Sequence, residues 1–155
     1  MAYQTDYNEQ PLDNSPGTVA GNFDNARSST GTCETVAGIG FGLAVSRGAN
    51  SDRGTIIGGT LAGFRGCSIK DVTLVNENGD KYMPPNSMGI LESGEIWVEP
   101  AVAVAIGDPV HFNATTGVWS NAGGIGPVLG ARWKTSCASG GRAILQLPTY
   151  GQATS

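Results

Sequence analysis

Apolar and polar positions alternate with a period of two along most of this chain, in short runs closed by Gly, Pro, Asn or Asp, and that pattern predicts strands joined by turns. The clearest stretch is 88–119. Residues 89–91 and 96–98 read as two strands, with Glu92-Ser-Gly-Glu as the tight turn of a hairpin between them. Ala101-Val-Ala-Val-Ala-Ile reads as the next strand, with Val102, Val104 and Ile106 on a core face and Ala101, Ala103 and Ala105 on a face that lets a second layer approach closely. Gly107-Asp-Pro turns the chain into Val110-His-Phe, and Asn113-Ala-Thr-Thr-Gly turns it again into Val118-Trp.

The same grammar extends on both sides. Upstream, 41–45 is a β-type run with Phe41, Leu43 and Val45 on one face, followed by strands at 55–57, 61–69 and 71–75. Asn76-Glu-Asn-Gly-Asp is a turn, and Met83-Pro-Pro-Asn-Ser is a loop, because paired prolines exclude a central strand. Downstream of the glycine-rich loop 121–126, strands are expected at 128–134 and 142–147. No window of twelve residues carries a 3.6-residue stripe, and no repeat suggests a solenoid. The expected fold is therefore all-β: a single β-sandwich or barrel-like domain of short antiparallel strands.

Residues 1–30 do not follow the pattern. They are polar, rich in Pro, Asn and Ser, and hold only isolated apolar side chains: Tyr3, Tyr7, Leu12, Val19 and Phe23. This is the composition of an extended N-terminal arm whose spaced anchors each enter a separate pocket on another surface, the arm becoming ordered on binding. The organisation read from the sequence is an arm at 1–30, a body at 31–148 and a short tail at 149–155.

Composition narrows the class. The 155 residues allow one domain with its own core, and 24 glycines, about twice the usual share, sit without a collagen period in a chain that is 39% hydrophobic. Nine Lys and Arg against 13 Asp and Glu give a net charge of −4, spread without blocks, which disfavours a nucleic acid or an acidic membrane and favours a protein partner. No apolar run reaches a membrane span, and the first residues lack the pattern of a signal peptide, so synthesis in a cytoplasm is expected. Cys33, Cys67 and Cys137 are odd in number and none lies in a C-x-x-C pair. Free thiols are the first expectation, and spacing does not say which two would pair otherwise.

Candidate chemistry is sparse. His111 is the single imidazole, on the strand face opposite Val110 and Phe112, and a lone His cannot make a metal site without Cys or carboxylate help. No Gly-x-Ser-x-Gly elbow is present; Glu92 and Glu95, a formal carboxylate pair, straddle the expected hairpin turn. Gly38-Ile-Gly-Phe-Gly leads into β-like residues, not into the helix that would cradle phosphate. Asn113-Ala-Thr is a chance glycosylation pattern in a turn, and Arg47, Arg53 and Arg65 read as surface or interface ion pairs. No catalytic residue, cofactor or metal is assigned. Trp97, Trp119 and Trp133 fall on three strands, either as core or as a stacking platform for a sugar ring, and the platform is the basis of the alternative reading, a carbohydrate- or cell-surface-binding module.

The order of segments resembles the structural cement, or capsid decoration, proteins of tailed bacteriophages. The residues that carry it are Gly38-Ile-Gly-Phe-Gly-Leu-Ala-Val-Ser-Arg-Gly, Phe64-Arg-Gly-Cys-Ser-Ile, Ile90-Leu-Glu-Ser-Gly-Glu-Ile-Trp-Val-Glu, Val102-Ala-Val-Ala-Ile-Gly-Asp-Pro-Val-His-Phe, Gly117-Val-Trp and Gly141-Arg-Ala-Ile-Leu-Gln-Leu, over roughly 1–148. The resemblance implies a non-catalytic virion protein, made in the host bacterial cytoplasm, that sits on the outer capsid surface and stabilises it. Its implied partners are the major capsid protein and further copies of itself, as a dimer or a trimer. An arm and a body that engage different subunits raise effective concentration, so each contact can be weak. Tyr3, Tyr7, Leu12, Val19 and Phe23 are the expected contact residues toward the capsid or a neighbouring decoration subunit.

Overall fold

The computed structural model describes residues 15–20, 26–71 and 81–147, and in them there are strands and turns but no helix. The strands are β1 (Val19–Ala20), β2 (Arg27–Cys33), β3 (Ile39–Gly40), β4 (Ala44–Arg47), β5 (Gly54–Ile57), β6 (Phe64–Ser68), β7 (Lys81–Tyr82), β8 (Ser87–Val98), β9 (His111–Phe112), β10 (Trp119–Ser120), β11 (Arg132–Trp133) and β12 (Ala143–Leu147). Five of them close on themselves in the order β8–β2–β5–β4–β6–β8, which makes a small barrel. All of these pairings are antiparallel except β2–β5. Closure removes the free sheet edges that would invite uncontrolled pairing with other chains.

The twelve residues of β8 join the barrel to a second region. Its first half pairs with β2 and β6, and its second half pairs with β12 on one side and β1 on the other. β11 then adds to β12, while β9–β10 and β3–β7 form two small ribbons. Two stretches of the 1–30 segment are thus part of the sheet: β1, and the first four residues of β2.

The hairpin expected at Glu92-Ser-Gly-Glu is corrected to one uninterrupted strand. Turn-forming residues do not turn here, because partners wait on both halves of the strand and Ser93 is buried between them. What the glycine provides is a bend: Gly94 has φ 122°, and the ladder to β2 shifts register between Arg27 and Ser28, opposite the same point.

Ala101-Val-Ala-Val-Ala-Ile is the second correction. Only Val104 is buried, through a single bridge to Cys137, whereas Val102 is 41% and Ile106 70% exposed. Side chains take the donors that a partner strand would have used: Asp108 Oδ2 accepts from the Ala105 N–H (2.9 Å) and Ser136 Oγ from the Ile106 N–H (3.1 Å). The alternation is present, but it has no ladder to act on.

The run at 41–45 is also divided. Gly42, at φ 73°, turns the chain between β3 and β4, and the backbone of Gly17 comes so close that a Cβ on Gly42 would lie 2.7 Å from its nitrogen. Phe41 and Leu43 are half-buried; Ala44 and Val45 enter the core on opposite faces of β4. The strand expected at 128–134 shrinks to Arg132–Trp133. Beyond Asp71, the strand expected at 71–75 and the turn at 76–80 lie outside the described residues, as does the tail at 149–155.

Two apolar clusters result. Val45, Ile90, Met88, Cys33, Ile39 and Tyr82 form one, which includes alternate residues of the barrel strands. The opposite-facing Ala44, Cys67 and Leu91 belong to the other, which holds Phe112, Trp119, Trp133 and the buried residues of β12. The barrel wall is therefore apolar on both faces at β4 and β8, and the region after Val98 packs as a second layer over it.

Candidate functional site

Of the five expected contact residues, only Val19 is among those described. Tyr3, Tyr7, Leu12 and Phe23 lie outside them. Val19 sits opposite Ile96 in β1 and packs, half-buried, on the main core cluster. Two further bonds fix this segment: Gly17 N–H to Trp97 O (2.8 Å) and Trp97 N–H to Thr18 O (2.9 Å). β1 is thus the point where residues 1–14 join the body. Ser15 reinforces it, its hydroxyl accepting from Lys70 Nζ at 2.8 Å.

Among the described residues, the side chains singled out for chemistry are in ordinary structural settings. His111 is half-buried on β9, as expected for a hydrogen-bonded strand residue, with Nδ1–H donating to the Gly123 carbonyl at 2.9 Å. Glu95 is engaged by Lys134 at 2.5 Å, and Glu92 is exposed on the same strand. The Asn121 amide and the Ala105 N–H hold the Asp108 carboxyl below the usual carboxylate range, which fits its part in the 105–108 turn. The three thiols are free; burial raises the pKa of each, most of all Cys67, which disfavours the reactive thiolate. Among the described residues no group of three or more His, Cys, Asp or Glu is placed to hold a metal ion.

The tryptophans do not form a stacking platform. Trp119 and Trp133 are fully buried, and Trp97 is half-buried on β8. Trp119 meets Phe112 and Phe64 edge-on, with ring centroids 5.9 and 6.0 Å away, and donates from Nε1 to the Gly42 carbonyl at 2.9 Å. That bond spans 77 residues and ties the second layer to the barrel.

One patch of the described surface after Val98 is apolar and uncharged. A cleft of about 290 Å³ opens on the β9–β10 ribbon, lined by Ala101, Phe112, Asn113, Thr116, Val118 and Ser120 among others. Small-molecule sites usually start near 300 Å³, so this volume suits one inserted side chain better than a ligand. Exposed Val102 follows directly on Ala101, and Ile106 is exposed at the end of the same segment. An apolar centre with a polar rim is the anatomy of a protein contact. Sequence reasoning put Val102 and Ile106 in the core. The available signal against that was the Gly107-Asp-Pro turn, whose carboxylate reaches back to the Ala105 N–H.

Residues 3–148 match the family described as Structural cement protein (E217 gp24/Pam3 gp6). No curated protein matches the chain.

Proposed function

The chain belongs to the phage structural cement protein family, and from that premise we propose that it binds the outside of the assembled capsid and stabilises it, without catalysis. The observation that carries the proposal is the extent of the match, 3–148, which takes in the 1–30 segment as well as the barrel. On this reading the body rests over a junction between copies of the major capsid protein, on the outer surface of the virion. Tyr3, Tyr7, Leu12 and Phe23 are the anchors of an arm that crosses to a neighbouring capsid or decoration subunit, and Val19 holds its root to β8. The protein acts as a homo-oligomer on the lattice, made in the bacterial cytoplasm before the head is dressed.

Two physical features support this. The surface after Val98 presents Val102, Ile106 and an uncharged cleft, which suit a protein and not a polyanion. An arm and a body held together by β1 make a bivalent ligand, so attachment is strong only where the lattice places both partners at the right separation.

Stabilisation is tested by heating phage heads with and without the bound protein and following release of DNA with an intercalating dye. Decorated heads release at a higher temperature; identical release curves at full occupancy would refute a cementing role.

A further inference from the structure

The net charge of −4 is not evenly spread. The first 26 residues contain Asp6, Glu9, Asp13 and Asp24 and no Lys or Arg, while the remaining chain carries nine acids and nine bases. An acidic arm is thus joined to a neutral body.

On that body three arginines, Arg47, Arg53 and Arg65, lie at one end of the barrel. Arg65 donates to Thr55 Oγ1 (2.8 Å), to the Arg53 carbonyl (3.3 Å) and to Ser29 Oγ (3.4 Å). Arg47 is directly opposite Thr55 in the β4–β5 ladder and so shares its face. Arg53, in the loop that enters β5, is exposed, as is Arg47. Among the described residues none of the three has a carboxylate within ion-pair distance; the pairs present, Lys134–Glu95 and Arg142–Glu99, are elsewhere. The two nearby acids do not neutralise the cluster. Glu34 lies against Gly48 and Gly54, on the other face of the hairpin, where its Oε1 accepts from the Ala49 and Asn50 N–H groups, and among the described residues Asp52 pairs with no cation.

We propose that this cluster is the docking site for the acidic arm of a neighbouring copy, with Asp6, Glu9 and Asp13 set against Arg47, Arg53 and Arg65. The inference rests on the reading of the 1–30 segment as an arm that reaches a neighbour. Carboxylate–guanidinium pairs are strong and directional, and three on one mouth fix both partner and orientation. A copy's own arm leaves the body beside Gly42, and Arg47 is five residues further along, about 17 Å at roughly 3.4 Å per residue; the fourteen residues before Ser15 can span that distance, so self-association, which docking of a copy's own arm does not produce, is what marks a neighbour's arm.

The test uses full-length protein in sedimentation velocity, at about 0.1 M and about 1 M salt, where the Debye length falls from about 10 to about 3 Å. Two variants accompany it: Arg47→Glu with Arg53→Glu, and Asp6→Lys with Glu9→Lys and Asp13→Lys. Arg65 is left in place because it also ties β6 to β2 and β5. Wild-type protein is expected to self-associate at low salt and to weaken at least about tenfold at high salt. Each variant alone loses association, and an equal mixture of the two regains it, since a reversed arm then meets a reversed mouth. Should the double reversal lower the melting temperature, Arg53→Gln replaces it, with an expected weakening of about threefold. Wild-type protein that stays monomeric, or a mixture that does not recover, overturns the inference. Head binding by the same variants separates the two readings: attachment without self-association leaves the cement function standing and removes this site, while self-association without attachment does the reverse.

Discussion

Trp119→Ala is expected to cost about 3–5 kcal/mol, the range for emptying a fully buried aromatic position. Against the roughly 5–15 kcal/mol that holds a domain together, this leaves the protein near its unfolding threshold. The residue is unusual in what it joins. Its ring packs on Phe64 from β6 and Phe112 from β9, its Nε1 bonds Gly42 between β3 and β4, and its carbonyl accepts from Ala101 at 2.8 Å. Barrel and second layer therefore separate when it is removed, and urea unfolding followed by circular dichroism reads the loss as a lower midpoint. The paired substitution to Phe isolates the hydrogen bond. Trp133 is equally buried, but among the described residues its Nε1 has no acceptor. Trp119→Phe should thus cost about 1 kcal/mol more than Trp133→Phe, because only the former loses a made bond and leaves the Gly42 carbonyl without its donor. Equal costs would show that the indole N–H contributes nothing to the junction.

Removal of residues 1–14 is expected to weaken attachment to phage heads about 10²–10⁴-fold while the body stays folded. That range is what a second, tethered contact adds to a first when geometry permits both. The cut belongs at residue 14 because a longer deletion would take out β1, whose bonds to Trp97 and pairing with β8 are part of the sheet. The melting temperature of the truncated protein should match that of the full chain, and quantitative co-sedimentation reads the affinity. Unchanged occupancy by the truncated protein would refute the arm's role and leave the body as the sole contact.

Much of the architecture was legible in the alternation of side chains. Strands at β5, β6, β9, β10 and β12 fall where period-two runs end in turn residues, since each has a partner that fixes its register. The failures share one cause. At Glu92-Ser-Gly-Glu, local turn chemistry is overridden by β2, β6, β12 and β1, all of which are remote in sequence. At Ala101–Ile106 the reverse holds: good alternation fails because no strand lies alongside, and Asp108 and Ser136 take the free N–H groups instead. Barrel closure depends on one parallel pairing, β2 to β5, which no local pattern encodes.

The surface was harder to read than the core. Of the three residues that alternation placed on a core face, Val104 is buried, but Val102 and Ile106 obey the same pattern and face solvent. The arginines at 47, 53 and 65 read as surface or interface ion pairs, but among the described residues none of them has a carboxylate partner. Only the register of β4 on β5 and the reach of Arg65 across to Thr55 bring them to one mouth. The acidic bias of the first 26 residues was present in the sequence throughout; it acquires meaning only beside that cluster.

The most direct test of a lattice-reading cement protein is co-sedimentation of the purified full chain with assembled phage heads and, separately, with free major capsid protein. The protein should pellet with heads to a saturating, fixed ratio per capsomer and show no complex with free subunits, because only the lattice presents the neighbouring contacts that body and arm need together. Equal binding to free subunits, or no saturable binding to heads, would contradict it.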